Sequence, residues 1–398
     1  MTRPTERTDW ATEGDGSGGA NAIRTATDSS RWTLGWQATP GNLPGEQGEK
    51  PNLNEQNYWQ YAVHKWFQYL EGQQGLASGW QAVRNTSQVT SPSTSGYFSR
   101  CTYYSKFLDM FFLFYGGQAI NYRSPDGLNF YASSVDTNAL WNAAAESASL
   151  IAVVGENGAI QTSPDGTTWT ARTHPDGSGV GGADMHAVTY GNGLFVVVSG
   201  NKNSNNVVTS ADGITWSYAA TLPGTTTLAY DVIWSEYHQL FFAGGYTGGS
   251  TNNNIWTSPD GTTWTARDSL NLEVRYLAVD EVSGRVVGLN SITIAGSDPV
   301  VYSDDAGVTW TAGTYDKRGS SINDLDIGIP SYSPAYKLWI AISGSGHLSL
   351  SENGIDWFYY GDPGFNINLG AKSYAYSDKH KLWWVGDNID GGTITRTL

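Results

Sequence analysis

SPDGTTW at residues 163–169 recurs as SADGITW at 210–216 and again as SPDGTTW at 258–264. SDDAGVTW at 303–310, SPDGLNF at 124–130 and SENGIDW at 351–357 are variants of the same phrase. The opening serines, Ser124, Ser163, Ser210, Ser258, Ser303 and Ser351, stand 39, 47, 48, 45 and 48 residues apart. That period matches a four-stranded propeller blade. Each phrase reads as a hairpin turn. Asp165, Asp212, Asp260 and Asp305 can accept hydrogen bonds from amides within their own turns. Gly166, Gly213, Gly261 and Gly307 supply the positive φ such a turn needs. Trp169, Trp216, Trp264 and Trp310 close the phrase and pack the next strand against its neighbours. The two outlying copies keep the layout with one change each. Asp126, Gly127 and Phe130 serve in the first, and Asn353, Gly354 and Trp357 in the last. One strand precedes each turn and one follows, as in AIQTS and TWTAR around 159–172. Two apolar strands lie upstream, as in HAVTY and LFVVV within 186–198. Four strands per repeat predict an all-β propeller.

Six turns predict seven blades. After the sixth turn come SYAYSD, KLWWVGD and GTITRTL, which are three strands, and the sequence stops at Leu398. GWQAVR at 79–84 reads like the strand that follows a turn. Trp80 stands in the place of the turn tryptophan and Arg84 in that of Arg172 and Arg267. Residues 79–85 are therefore expected to complete the last blade, closing the ring and protecting its edges. The expected propeller spans 79–398.

Residues 1–51 are rich in Gly, Thr, Asp and Pro without a sustained period, and read as an extended segment that orders against a partner. A helix is expected within 52–74, capped by Asn54 and ended by Gly72. Tyr58, Trp59, Ala62, Trp66, Tyr69 and Leu70 give it an aromatic face suited to oligomerisation. Its length is about 18 residues, or ~27 Å.

Composition narrows the function. The net charge is −15, with 22 basic against 37 acidic residues, so no nucleic-acid partner is expected. The longest apolar run, 107–115, is too short to span a bilayer, so no membrane insertion is expected. The polar start, Met1–Trp10, does not resemble a secretory signal. Cys101 is the single cysteine, which excludes an internal disulfide framework, and it reads as a buried thiol.

The repeated phrase resembles the Asp-box, or BNR, repeat, with the pattern Ser-x-Asp-x-Gly-x-x-Trp, over roughly 97–398. Only 303–310 has the full spacing. The other copies are one residue shorter, a form common in virion proteins. A second resemblance lies upstream. Gly35–Trp36, Pro40–Gly41, Asn57–Tyr58–Trp59 and Trp66–Phe67–Gln68–Tyr69–Leu70 follow the layout of the N-terminal region of phage tail-fibre and appendage proteins. Tyr58, between the Asn and the Trp, departs from it. The resemblance implies a structural virion protein of a bacteriophage tail, made in the host cytoplasm and anchored to other tail proteins through residues 1–74. It also implies a homotrimer that presents its propeller outward. The helix ends where a fourth strand begins, so the face opposite the turns is expected to point away from the particle. That face carries long polar loops with Asn201, Asn203, Tyr246, Asn252 and Asn253, candidates for contact with a host surface glycan or protein.

Asp-box propellers include sialidases, so an enzyme is weighed as the alternative. The arginine triad that the resemblance would require is not apparent among Arg84, Arg100, Arg123, Arg172, Arg267, Arg275, Arg285, Arg318 and Arg396. Arg172 and Arg267 repeat one structural place, which suggests a structural role. Glu156, Asp184, Glu236, Glu273 and Asp326 offer carboxylates for a glycosidase, but no spacing singles out a pair. The histidines show no metal-ligand spacing. No catalytic residue, metal or cofactor is expected. A non-binding adaptor or decoration protein is the remaining alternative.

Overall fold

The computed structural model describes residues 80–83 and most of 99–397. Within the latter it leaves out 116–119, 128–129, 135–138, 178–183, 201–205, 225–226, 248–253, 268–272, 291–298, 318–327, 344–346, 362–373, 381 and 387–393. The expected extended segment and the helix with Tyr58, Trp59, Ala62, Trp66, Tyr69 and Leu70 lie outside the described residues, as does Arg84.

Residues Trp80–Thr397 form one unit built of seven sheets. In the third sheet the strands Met185–Gly191, Leu194–Ser199, Val207–Ser210 and Ser217–Ala220 pair antiparallel in chain order. The repeated phrase SADGITW joins the last two. β-Branched residues fill these strands because their stiff side chains pack well on a pleated surface. Middle strands such as Ile151–Gly155 and Val207–Ser210 are buried throughout, while the outer Thr170–Arg172 is mostly exposed. A middle strand is covered on both faces by neighbouring sheets, so its sequence reads as an unbroken apolar run.

The ring closes as the sequence predicts. Trp80–Val83 pairs antiparallel with Ile394–Thr397, with Trp80 opposite Thr397, and completes the seventh sheet. The innermost strand of each sheet lies beside that of the next, and Tyr374–Ser377 of the seventh lies beside Ser99–Ser105 of the first. The fold is thus a seven-bladed β-propeller.

The sixth sheet holds a strand that the sequence pattern does not signal. Thr314–Asp316 adds parallel to Asp356–Gly361 at its outer edge, after the fifth blade has ended at Thr311–Ala312. Gly313 makes the crossing possible, since a Cβ there would stand 2.5 Å from the Ile355 carbonyl oxygen. Three polar-edged residues carry no alternation from which a strand could be read.

Side chains pin the seams between blades on the turn face. Glu146 of the second blade accepts from Ser105 and from the amides of Lys106 (2.8 Å) and Phe107 (3.1 Å) in the first. Glu281 of the fifth blade accepts from Ser235 (3.2 Å) and the Glu236 and Tyr237 amides (3.1 and 2.8 Å) in the fourth. At the seam between the last blade and the first, Asp109 accepts from Tyr104 (2.7 Å) and contacts Lys379 and His380.

Candidate functional site

The repeated turns occupy one face of the propeller, and their chemistry is structural. In each of the four central copies the serine hydroxyl donates to the acid and accepts from the glycine amide. Ser163 Oγ donates to Asp165 at 3.1 Å and accepts from Gly166 N at 2.8 Å. Asp165 Oδ1 then accepts the amides of Thr167 and Thr168, both at 2.7 Å. Asp212 does the same with Ile214 and Thr215, and Asp260 with Thr262 and Thr263. In the longer turn Ser303 Oγ donates to Asp305 at 2.8 Å and accepts from Gly307 N at 2.9 Å, while Asp305 accepts from Thr309 N at 2.9 Å. The extra residue, Ala306, takes a left-handed φ of 61°.

Asn353 replaces the acid without loss, since its Oδ1 accepts from Ser351 (3.1 Å), Ile355 N (2.8 Å) and Asp356 N (2.9 Å). In the first copy Ser124 Oγ donates to Asp126 at 3.0 Å, Gly127 has φ 66°, and Phe130 is buried in the tryptophan's place. Amides donating to the carboxylates hold Asp165 and Asp212 below the usual carboxylate range. Burial works against that shift at Asp260 and Asp305 but is outweighed, by the Thr263 and Thr262 amides at Asp260 and by the Thr309 hydroxyl and then its amide at Asp305, and both are also lowered.

The closing tryptophans are buried. Trp216, Trp264, Trp310 and Trp357 donate Nε1 to their own turn glycine's carbonyl at 3.1–3.2 Å. Trp169 instead faces the Asn121 amide oxygen of the preceding blade at 3.2 Å, once that amide is turned so that its nitrogen donates to Ser133 O. Arg172 and Arg267 make one identical cross-strand bond, from Nε to Thr162 and Thr257 at 2.8 and 3.0 Å. These groups are committed to holding the blades.

The opposite rim is built differently. The innermost strands of the first four blades each carry a β-bulge, at the second residue in the first three and at the fourth in the longer Thr227–Ser235, placing Arg100, Asn142, His186 and Tyr230 at bulge positions. A bulge re-aims a side chain and frees it from the sheet alternation. Two of these residues reach to the next blade. Asn142 Nδ2 donates to Met185 O at 2.8 Å, and His186 Nδ1 meets Ala229 O at 2.7 Å. A carbonyl only accepts, so the His186 proton sits on Nδ1.

Three blades meet at Tyr230. The His186 ring stacks near it with centroids 5.7 Å apart and planes at 21°. From the fifth blade the Arg275 guanidinium carbon lies 4.6 Å above the Tyr230 ring, and Arg275 Nε donates to Glu273 at 2.7 Å. Burial, and next the Glu273 carboxylate, raise the Tyr230 hydroxyl above the ordinary tyrosine range. Tyr246, on the neighbouring strand, acts on the same hydroxyl and is 38% exposed. The cluster is locked by the backbone, where Val274 N donates to Gly245 O at 3.1 Å and Arg275 N to Leu289 O at 3.0 Å.

Of the loop residues singled out from the sequence, Tyr246 belongs to this cluster, while Asn201, Asn203, Asn252 and Asn253 lie outside the described residues. The candidate carboxylates are dispersed. Glu236 sits in a turn on the repeat face, bonded by Gln239 at 2.9 Å. Asp184 accepts from Asn157 N at 3.0 Å, Glu273 is paired to Arg275, and Asp326 is not described. Sequence reasoning missed His186 and Tyr230, and did not join Glu273 to Arg275. Among the described residues no group of three or more His, Cys, Asp or Glu is arranged to hold a metal.

No family model and no curated protein matches the sequence. Solved structures share the fold at low identity. YCF48 from Cyanidioschyzon merolae is 15% identical, with TM-score 0.56 over 80% of this chain and 98% of its own. Virginiamycin B lyase from Staphylococcus aureus, solved with quinupristin, is 11% identical, with TM-score 0.59 over 80% of this chain and 99% of its own. The GH74 enzyme of Niastella koreensis is 16% identical, with TM-score 0.51 over 72% of this chain and 50% of its own. Enzymes and non-enzymes thus stand together among the neighbours, and the likeness carries the fold alone.

Proposed function

We propose that this chain is a non-enzymatic structural protein of a bacteriophage tail, a fibre or appendage. Its N-terminal segment docks on the particle, its aromatic helix trimerises, and its propeller binds a host surface receptor. The Asp-box resemblance of the turns and the tail-protein layout of residues 35–70 support this reading. One structural observation supports the outward-facing reading. Trp80 opens an outer strand at the turn face, which supports an anchor on that side. The opposite rim, with its cluster around Tyr230, is then the face left for an outside partner. A rigid ring presenting a polar rim suits recognition more than chemistry, because the turn carboxylates are consumed by their own amides.

Two measurements test this. The solution mass of the full-length protein is expected to be that of a trimer, and that of a protein beginning at Ser78 to be a monomer. The labelled protein is expected to bind the surface of at least one strain in a bacterial panel without releasing reducing sugar. Monomers in both preparations would remove the trimer. Sugar release abolished by a single Asp or Glu substitution would replace the structural reading with a glycosidase.

A further inference from the structure

The geometry points to a binding site for a neutral, hydroxyl-rich sugar residue at the rim cluster of His186, Tyr230, Tyr246, Glu273 and Arg275. This rests on the outward-facing reading above and assigns that face its class of ligand. A sugar ring offers two things to a protein, vicinal hydroxyls that both donate and accept, and a patch of C–H groups. The cluster supplies a match for each. Arg275 uses Nε on Glu273 at 2.7 Å, and among the described residues its Nη groups meet no acceptor. The planar pair therefore presents donors beside a carboxylate acceptor, the complement of adjacent hydroxyls. His186, with its proton on Nδ1, offers the lone pair of Nε2 as a further acceptor when neutral.

The aromatic partner is Tyr246. His186 and Arg275 already flank the Tyr230 ring, whereas Tyr246 is exposed. Among the described residues it is the one exposed large apolar side chain on this rim. Phe107, Ile214, Tyr237, Val282, Val308 and Tyr336 all lie in turns of the other face, and Tyr131 directly follows one. An aromatic face is the negative side of its quadrupole and attracts the polarised C–H groups of a sugar.

Charge selects a neutral sugar over an acidic one. The one cation of the cluster is balanced by Glu273, and the chain as a whole carries −15. An anionic sugar would meet no uncompensated positive charge and an adverse long-range field. His186 and Tyr230 stand on bulged strands, and backbone bonds hold the Val274–Arg275 segment between Gly245 and Leu289, so little order has to be gained on binding.

Saturation-transfer NMR on the full-length protein tests the assignment, with the methyl glycosides of glucose, galactose, mannose and N-acetylglucosamine, and methyl sialoside as the anionic comparator. Transfer to at least one neutral glycoside is expected, with methyl sialoside weaker. Tyr246→Ala and Glu273→Gln are each expected to weaken it about tenfold or more, and Tyr246→Ala to leave the melting temperature unchanged. Tyr246 is exposed, so its loss leaves the core intact. No transfer to any neutral glycoside, or transfer unaltered in Tyr246→Ala, overturns the site. The same variants on the bacterial panel separate the two readings. Cell binding that survives both substitutions, without glycoside transfer, retires the sugar site and leaves receptor binding standing. Failure of the unaltered protein to bind any strain retires receptor binding, even if a glycoside binds.

Discussion

At the residue scale, each repeated turn needs an oxygen at its third position rather than a charge. Asn353 accepts the same pair of amides as Asp165 does. Asp165→Asn is therefore expected to leave stability nearly unchanged, while Asp165→Ala costs about 1 kcal/mol, as loss of a helix cap does. Denaturant melts of the two variants check this, and equal losses would show that charge matters after all. The glycine meets a stricter demand. A Cβ on Gly166 would come within 2.5 Å of the buried Phe112 ring of the preceding blade, at φ +69°. The left-handed backbone and the clash together predict a loss of about 3 kcal/mol for Gly166→Ala. Ala306 is the converse case, a side chain held at φ 61° beside Gly307. Ala306→Gly is expected to stabilise by up to about 1 kcal/mol, read as a higher melting midpoint. The positive φ of these glycines was legible in the sequence, since the phrase asks for it. Their contact with the preceding blade was not, because Phe112 is 54 residues from Gly166 (166 − 112) and nothing local links them.

At the scale of elements, the strands were legible and the seams were not. The seam between first and last blades depends on Asp109. Lys379 foremost, then Tyr104, lowers its carboxyl from 3.8 to about 2. A carboxyl depressed by folding adds stability that is complete above its unfolded value and is lost as pH falls through its folded value. Weakening of this seam is thus expected between about pH 4 and pH 2. Asp109→Asn should bring the same loosening at neutral pH and flatten that acid response, followed by hydrogen exchange of the strands Ser99–Ser105 and Tyr374–Ser377. An acid response unchanged in Asp109→Asn would place the sensitivity elsewhere, with the turn acids as the next candidates. The rim cluster also belongs to this scale. Asn142, His186 and Tyr230 all sit at bulges yet stand 21, 24 and 28 residues before their turn serines (163 − 142, 210 − 186, 258 − 230). Loops of different length erase the register, so no spacing could have aligned them.

At the scale of the whole molecule, closure is the test of the architecture. Trp80–Val83 covers the edge of Ile394–Thr397, and a protein beginning at residue 86 would expose it. An uncovered edge strand invites pairing with another copy. That shorter protein is expected to melt at lower temperature than one beginning at Ser78 and to self-associate with rising concentration in light scattering. Equal melting and a clean monomer would mean that the ring is held by its inner strands without this clasp.

The amino-acid sequence alone determined the propeller, its blade count and the strand that closes it. A repeat of four strands states its unit locally, in turn chemistry and alternation, and the missing strand shows as an arithmetic remainder. It also determined that the turn acids are structural, because the residues they bind lie within a few positions. Only the tertiary structure decided which polar side chains meet on the far rim, and that a fifth strand clips the sixth blade. Those groups come from different blades, and their proximity depends on bulges and on the rotation from one blade to the next, neither of which leaves a periodic trace in the chain.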